Sequence, residues 1–260
     1  MKVAVVLLPG EHGSEVAASW LVGYLRAIGV EQVDLLRAED DLSAITSSYR
    51  SHDALVVVGA SGNPDAVRAI ASALGLGVEV SEEALTYVRN YYSDRFEVPA
   101  DLERLALVPE FSYVVPNERG AAPAFVASSL TEDKFIAGLP QSLGEAVECF
   151  EKSIQDFFRE KTGRRFSATF AFYLAGSAQA AGEVAAKLSS KVEGVFARVD
   201  YRFMGAEGLP LVVTIYAATA EELYERITAV EGELKQLAEQ AGLSVLQGGI
   251  SGQGEEELTL

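Results

Sequence analysis

The segment Gly59-Ala60-Ser61-Gly62-Asn63-Pro64-Asp65 follows an apolar run, Ala54 to Val58, and precedes a stripe of Val67, Ile70, Ala71 and Leu74 at helical spacing, closed by Gly75. Backbone N–H groups of such a loop, gathered at the positive end of a helix, can cradle a phosphate. The competing reading is an ordinary strand-to-helix turn, with Asn63 as the helix cap and Pro64 in the first position, where no donor is needed. Gly59, Ser61, Gly62 and Asn63 are therefore candidate ligand-binding residues. Gly10 joins them, because loops at the carboxyl ends of parallel strands line one crevice. Glu11, Asp41 and Asp65 are the nearby carboxylates. Hard cations take oxygen ligands, so these three can hold a divalent ion such as Mg that activates water or neutralises a diphosphate. They can equally be solvated carboxylates in a chain with 38 acidic residues. His12 is a candidate general base or an exposed loop histidine. His52, just before a buried strand, reads as structural.

The elements that would carry these residues are legible. Val3 to Leu8 is an unbroken apolar run ending in Pro-Gly, the pattern of a central parallel strand covered on both faces. Val16, Ala17, Trp20, Leu21, Tyr24, Leu25 and Ile28 form one helical stripe closed by Gly29. Val33 to Leu36 predicts a second strand, Leu42 to Tyr49 a short helix and Ala54 to Val58 a third strand, giving β-α-β-α-β. Ser81 to Tyr92 predicts a helix, and Asp101 to Leu107 another short turn of one. Short strands are expected at Tyr113 to Val115, Phe125 to Ala127 and Phe135 to Ala137. One long helix with Leu143, Ala146, Val147, Phe150, Ile154, Phe157 and Phe158 inward then stops at Gly163. The fold class is α/β, a three-layer α/β/α arrangement with a mostly parallel sheet over residues 1–163.

A second unit is expected over residues 164–247. Phe166 to Leu174 is a strand, Ser177 to Leu188 a helix, Ala197 to Met204 and Leu211 to Ala217 strands, and Thr219 with Glu222 opens a closing helix through a capping box. That order, β-α-β-β-α, is a small α+β ferredoxin-like or KH-like sandwich. Residues 248–260 read as a flexible acidic tail.

The 260 residues suit two cores, and 49% apolar content supplies them. Lys and Arg number 21, for a net charge of -17, which repels nucleic acid and anionic membranes alike. One cysteine, Cys149, rules out an internal disulfide, and two histidines rule out a histidine-rich zinc site. Cys149 lies on an amphipathic helix and reads as a small buried thiol. Gly176-Ser177-Ala178-Gln179 lacks the second glycine of an RNA-clamping loop, and Arg164-Arg165 is too brief for a basic patch. The first apolar run is too short for a secretory signal, and no stretch reaches the roughly 20 apolar residues that cross a bilayer. A cytoplasmic location is expected.

The middle of the chain resembles the CinA family, competence/damage-inducible proteins whose first domain shares the MoaB/Mog molybdopterin-binding fold. The family's Asn-x-x-Gly-x-Ala-Pro-Gly-Phe segment is similar to Asn117-Glu118-Arg119-Gly120-Ala121-Ala122-Pro123-Ala124-Phe125. Its Gln-Ala-x-x-Pro-Glu-Gly approach is similar to Leu105 to Phe111, and its Leu-Pro-Gly-Val-Pro-x-Glu-Met segment to Leu139-Pro140-Gln141-Ser142-Leu143-Gly144-Glu145-Ala146. Its helix beginning Asn-Ser-x-Trp-Leu resembles Ala17 to Leu21. The Thr-Gly-Gly-x-Gly-Pro-Thr-x-Asp-Asp loop of the family resembles Val58 to Asp65, which has lost the second Gly and the Thr; the stretch from Gly10 to Ala17 is about five residues shorter than the family pattern.

The resemblance implies a MoaB/Mog-like domain followed by a KH-like unit, with the family's C-terminal amidase domain outside this sequence. It implies ligand contacts from Asn117, Gly120 and Pro123, which otherwise make a β-turn with Asn first and Gly fourth, and from Glu145 at the pocket edge. It implies a nucleotide diphosphate such as ADP-ribose, or a pterin phosphate, as ligand, with Asp65 and Glu11 catalytic in a metal-dependent pyrophosphatase. Molybdopterin is a further cofactor the fold implies, and a homo-oligomer is expected. The shortened first loop and eroded Gly-rich loop point instead to a non-catalytic oligomeric scaffold or regulatory protein with a degenerate pocket.

Overall fold

The computed structural model describes residues 1–10, 14–38, 42–200 and 208–246. It divides into two compact units, Met1–Arg26 with Val30–Thr162, and Ala27–Gly29 with the chain from Gly163 onward.

The first unit begins β1 (Lys2–Leu7), α1 (Ser14–Ala27), β2 (Gln32–Arg37), α2 (Ser43–Ser51), β3 (Ala54–Val58) and α3 (Pro64–Leu74). It continues with β4 (Val78–Val80), α4 (Glu82–Tyr92), a 3-10 turn (Glu103–Ala106), β5 (Leu107–Pro109), β6 (Tyr113–Val115), β7 (Ala124–Ser128) and β8 (Phe135–Leu139). It ends with α5 (Leu143–Cys149), a π-helical turn (Phe150–Ile154) and α6 (Gln155–Thr162). Six strands form one sheet in the order β2-β1-β3-β8-β7-β6, parallel from β2 to β8 and antiparallel through β7 and β6. Every residue of β3 and β8 is buried, as their unbroken apolar sequences require of central strands, whereas β2 at the edge is partly exposed along its length.

Side chains alternate across the sheet. Ala4, Val6, Leu55 and Val57 pack with Ile45 and Tyr49 of α2 and Val67 and Ile70 of α3. On α1, Trp20 and Tyr24 stack at 4.7 Å, and Tyr24 meets Phe150 edge-on at 5.3 Å. This is the three-layer, mostly parallel architecture expected.

The registers Leu7↔Val58 and Val58↔Leu139 bring the loops after β1, β3 and β8 to one rim. Because β1 lies between β2 and β3, that rim is where the strand order reverses, the usual crevice of such sheets.

Three features depart from the sequence reading. β4 and β5 make a separate antiparallel ribbon, Val78↔Pro109 to Val80↔Leu107. The long helix after β8 is interrupted by the π-helical turn, which keeps Phe150, Ile154 and Phe158 all buried at intervals of four. Helix α2 starts one residue later than expected because Leu42 takes a left-handed conformation, φ 55°.

The second unit runs β9 (Phe166–Ala175), α7 (Ala178–Lys191), β10 (Val195–Val199), β11 (Leu209–Ala217), α8 (Ala220–Gln240) and β12 (Ser244–Leu246). Its sheet is ordered β10-β11-β9-β12 with all neighbours antiparallel. The fourth strand, absent from the sequence reading, completes the ferredoxin-like β-α-β-β-α-β order. Val184 and Leu188 of α7 and Leu234 and Leu237 of α8 pack on Leu211, Val213 and Ile215. Thr219 caps α8 through Glu222 N at 3.1 Å, as the capping box requires. The expected strand beyond Asp200 and the acidic tail fall outside the described residues.

Candidate functional site

Asn63 sits at the cap of α3 in extended conformation, and its Oδ1 accepts from Asp65 N and Ala66 N, both at 3.2 Å. The loop before it turns inward. Gly59 N (2.9 Å) and Ser61 N (3.1 Å) both donate to the Leu139 carbonyl, Asn63 N donates to the Ala60 carbonyl at 3.1 Å, and Ser61 Oγ reaches the Gly138 carbonyl at 3.4 Å. The donors expected to face a phosphate at Gly59, Ser61 and Asn63 are thus engaged by the protein itself, because β8 lies beside β3 and offers its last carbonyls to the loop. The segment forms the strand-to-helix turn capped by Asn63, the other reading of these residues.

The place between Gly10 and Gly59 is filled as well. The Gln141 side chain reaches across from the β8–α5 connection and donates from Nε2 to the Pro9 carbonyl at 3.4 Å. Its amide lies so close to Gly10 that a Cβ there would stand 1.3 Å from Nε2, and a Cβ on Gly59 would stand 3.9 Å from Cδ. Sequence reasoning missed Gln141, although the signal was present: it stands where the resembling Leu-Pro-Gly segment has a glycine, and a glycine has no side chain to fill the rim.

Asp65 lies in the first exposed turn of α3, where a carboxylate favours the helix dipole, and pairs with Arg68 at 2.9 Å. Glu11, His12 and Asp41, the other candidates of that group, lie outside the described residues. Among the described residues no three His, Cys, Asp or Glu side chains come together as metal ligands. Of the three expected metal ligands, Asp65 alone is among the described residues, and its carboxylate is paired with Arg68 at the surface.

The second candidate segment is built tightly. Asn117, 8% exposed, accepts at Oδ1 from Arg119 N (3.1 Å) and Gly120 N (3.0 Å), and donates from Nδ2 to the Ala122 carbonyl (3.0 Å) and Glu145 Oε2 (2.7 Å). All four of its hydrogen-bonding positions are used. Glu145 is positioned by α5, whose cap Ser142 donates from Oγ to Glu145 Oε1 at 2.7 Å. Gly120 is required there: a Cβ would stand 1.9 Å from Glu145 Oε2. Pro123 is buried ahead of β7. Arg119 pairs with Glu148 and Lys152 with Glu118, clipping the turn to the helix behind it. The structure does bring this turn to the Gly-rich loop, since a Cβ on Gly62 would meet Ala122 Cβ at 2.9 Å. Among the described residues, the rim carries the Gln141 amide, the Asp65 carboxylate and the hydrogen-bonded pair of Asn117 and Glu145.

Cys149 is buried, and burial pushes its thiol up to about 12, so it is no nucleophile at neutral pH. No helix among the described residues is long and apolar enough to cross a membrane.

The chain is 28% identical over 152 residues to a protein of Pyrobaculum arsenaticum, covering 55% of this chain and 57% of the other. It is 27% identical over 159 residues to a CinA-like protein of Syntrophotalea carbinolica, covering 58% and 36%. It is 28% identical over 233 residues to a protein of Desulforudis audaxviator named as competence-damage inducible, covering 83% and 55%. The chain thus spans between about a third and three fifths of these relatives' lengths. Among solved structures, CinA of unknown function from Thermoplasma acidophilum superimposes with a TM-score of 0.48 at 20% identity, over 60% of this chain and 99% of that one. The tungsten cofactor synthesizing protein MoaB from Pyrococcus furiosus gives 0.36 at 12%, over 64% and 97%. Residues 5–160 match the family described as "Probable molybdopterin binding domain", more than half of the sequence, so this CinA-like chain belongs to the molybdopterin-binding-domain family.

Proposed function

We propose that this chain is a non-catalytic member of the CinA-like group, an oligomeric scaffold or regulatory protein that keeps the molybdopterin-binding-type architecture while its rim no longer serves diphosphate chemistry. One observation carries the reading: the N–H groups of Gly59 and Ser61 both point to the Leu139 carbonyl, and the Gln141 amide lies over Gly10 between them. A phosphate needs donors that are free and a hollow that is open. The Asn117–Glu145 network supports the same reading, since each of its polar atoms has a partner within the chain and serves to hold the turn. A homo-oligomer in the cytoplasm, without nucleic acid or membrane partners, is part of the proposal; the charge of -17 supports the absence of those anionic partners.

The second reading, a protein binding a nucleotide diphosphate such as ADP-ribose or a pterin phosphate, draws on the retained order Asn117, Gly120, Pro123, Glu145. The plug is also weakly held, by one hydrogen bond at 3.4 Å, the long end of the range. The two readings separate when pure protein is incubated with ADP-ribose, nucleoside diphosphates and pterin phosphates, with and without Mg or Mn. The first expects no product and an unchanged melting temperature. Turnover, or a rise in melting temperature that grows with ligand concentration, overturns it.

A further inference from the structure

Helix α4 ends at Tyr92, and every residue from Ser93 to Asp101, on the way to the 3-10 turn, is exposed. Phe96 stands in the middle of this arm wholly in solvent, at 107% exposure, and Val98 beside it is half exposed. The two ends of the arm are fixed. Tyr92 and Leu102 pack on the buried cluster of Ala84, Leu85, Val88 and Ala106. Arg95 N donates to the Tyr92 carbonyl at 3.2 Å, and Arg104 N donates to Asp101 Oδ1 at 3.2 Å. Pro99 biases Val98 toward extended backbone. The ring of Phe96 is therefore held out from the protein by anchored neighbours, with no seat of its own in the chain.

The same residues border an open hollow of about 1040 Å³, walled by Tyr91, Tyr92, Arg95, Val98 and Pro99 beside Phe96 itself. One surface thus carries an aromatic knob and a recess faced by rings and aliphatic carbons. A patch of that kind is self-complementary about a two-fold axis, where each copy gives the knob and receives it. The charges match in the same way. The Arg95 guanidinium lies over the Tyr91 ring at 3.9 Å, with Nε donating to the Tyr91 carbonyl at 3.0 Å, which stations a cation on the wall of the hollow. Asp94 and Glu97 flank Phe96, so an incoming copy of the arm brings carboxylates beside its ring. With three carboxylates, Asp94, Glu97 and Asp101, to one guanidinium, the arm repels nucleic acid and an anionic membrane.

We infer that residues 93–101 form a self-docking arm through which two copies of this chain associate, each Phe96 seated in the other's hollow and each Arg95 facing the carboxylates beside the incoming ring. The inference rests on the oligomeric part of the function proposed above and names the surface that serves it.

Sedimentation equilibrium of the full chain, at loadings from about 1 to 100 µM, tests this. The wild type is expected to reach the mass of two copies. Phe96→Ser changes a side chain in solvent, so its melting temperature at low concentration should match the wild type, while its association weakens about 100-fold, roughly tenfold for each ring removed. Phe96→Leu should keep most of the association. Arg95→Glu should weaken it, and adding Glu97→Arg should recover part of the loss. A wild type that stays a single copy throughout overturns both this inference and the oligomeric reading it rests on. An assembly whose constant is unchanged in Phe96→Ser overturns the arm alone. A single-copy wild type that binds phosphatidylcholine vesicles through Phe96 would give the arm to a membrane and overturn the second copy as its occupant.

Discussion

The side-chain amide of Gln141 rests on the bare Cα of Gly10, closing from within the rim that the first and third strands would otherwise share. A methyl group at position 10 must evict it. Because the displaced group is the end of a flexible chain, Gly10→Ala is expected to cost about 1 kcal/mol or less. Gln141→Gly in that background should remove the penalty. Urea melts of the two single variants and the double variant measure the coupling, and strict additivity would show that the amide does not occupy this place.

Asn117 and Glu145 are joined by a 2.7 Å hydrogen bond inside a network with no spare valence. Asn117→Ala leaves the Glu145 carboxylate and two turn N–H groups short of partners, for an expected loss of about 2–3 kcal/mol. Asn117→Asp keeps the shape and sets two carboxylates against each other, so its stability deficit should shrink as pH falls and one of them protonates. Chemical denaturation at several pH values reads both effects.

Gly120→Ala places a Cβ 1.9 Å from Glu145 Oε2, against a side chain that is itself hydrogen-bonded twice. A destabilisation of about 1–3 kcal/mol is expected. Glu145→Ala should recover part of it. Loss without any recovery in the double variant would locate the cost in the backbone of the turn instead.

Phe111 holds φ at 61° while three quarters exposed, a conformation that costs a side chain about 1–2 kcal/mol. It stands in the turn between β5 and β6 where the resembling sequence pattern has glycine. Phe111→Gly should stabilise the protein by about 0.5–1 kcal/mol, since part of the relief is offset by the greater freedom of glycine in the unfolded chain. A lower melting temperature for this variant would mean that the aromatic ring contributes packing that its exposure hides.

The thiol of Cys149 is fully buried and its pKa is pushed up to about 12 by burial, with Glu148 adding to the shift. A chromogenic disulfide reagent at neutral pH should therefore label the native chain slowly and the urea-unfolded chain at once. Rapid labelling of the native protein would place the thiol at the surface.

What the sequence determined by itself is everything encoded locally. Val3 to Leu8 and Ala54 to Val58 could only be central strands, because such runs need cover on both faces. Asn63-Pro64 and Thr219 with Glu222 marked their helix starts by short-range chemistry, and the structure places both where their side chains cap. The order of Asn117 and Gly120 likewise pointed to a reversal of the chain, and Gly120 N does donate back to Asn117, to its side-chain Oδ1.

Tertiary structure alone decided what that chemistry is for. β4, β5 and β12 are three residues long and acquire their state from partners distant in sequence, so no periodicity announces them. The loop after β3 could be read as a phosphate cradle or as a plain turn; in the fold, the last carbonyl of β8 takes the N–H groups of Gly59 and Ser61. Gln141 stands where the resembling pattern has glycine, but that its side chain fills the rim was decided by the three strand ends that converge there. Hydrogen-bond partners across a sheet are set by which strands become neighbours, and that is a property of the folded chain, not of any window of its residues.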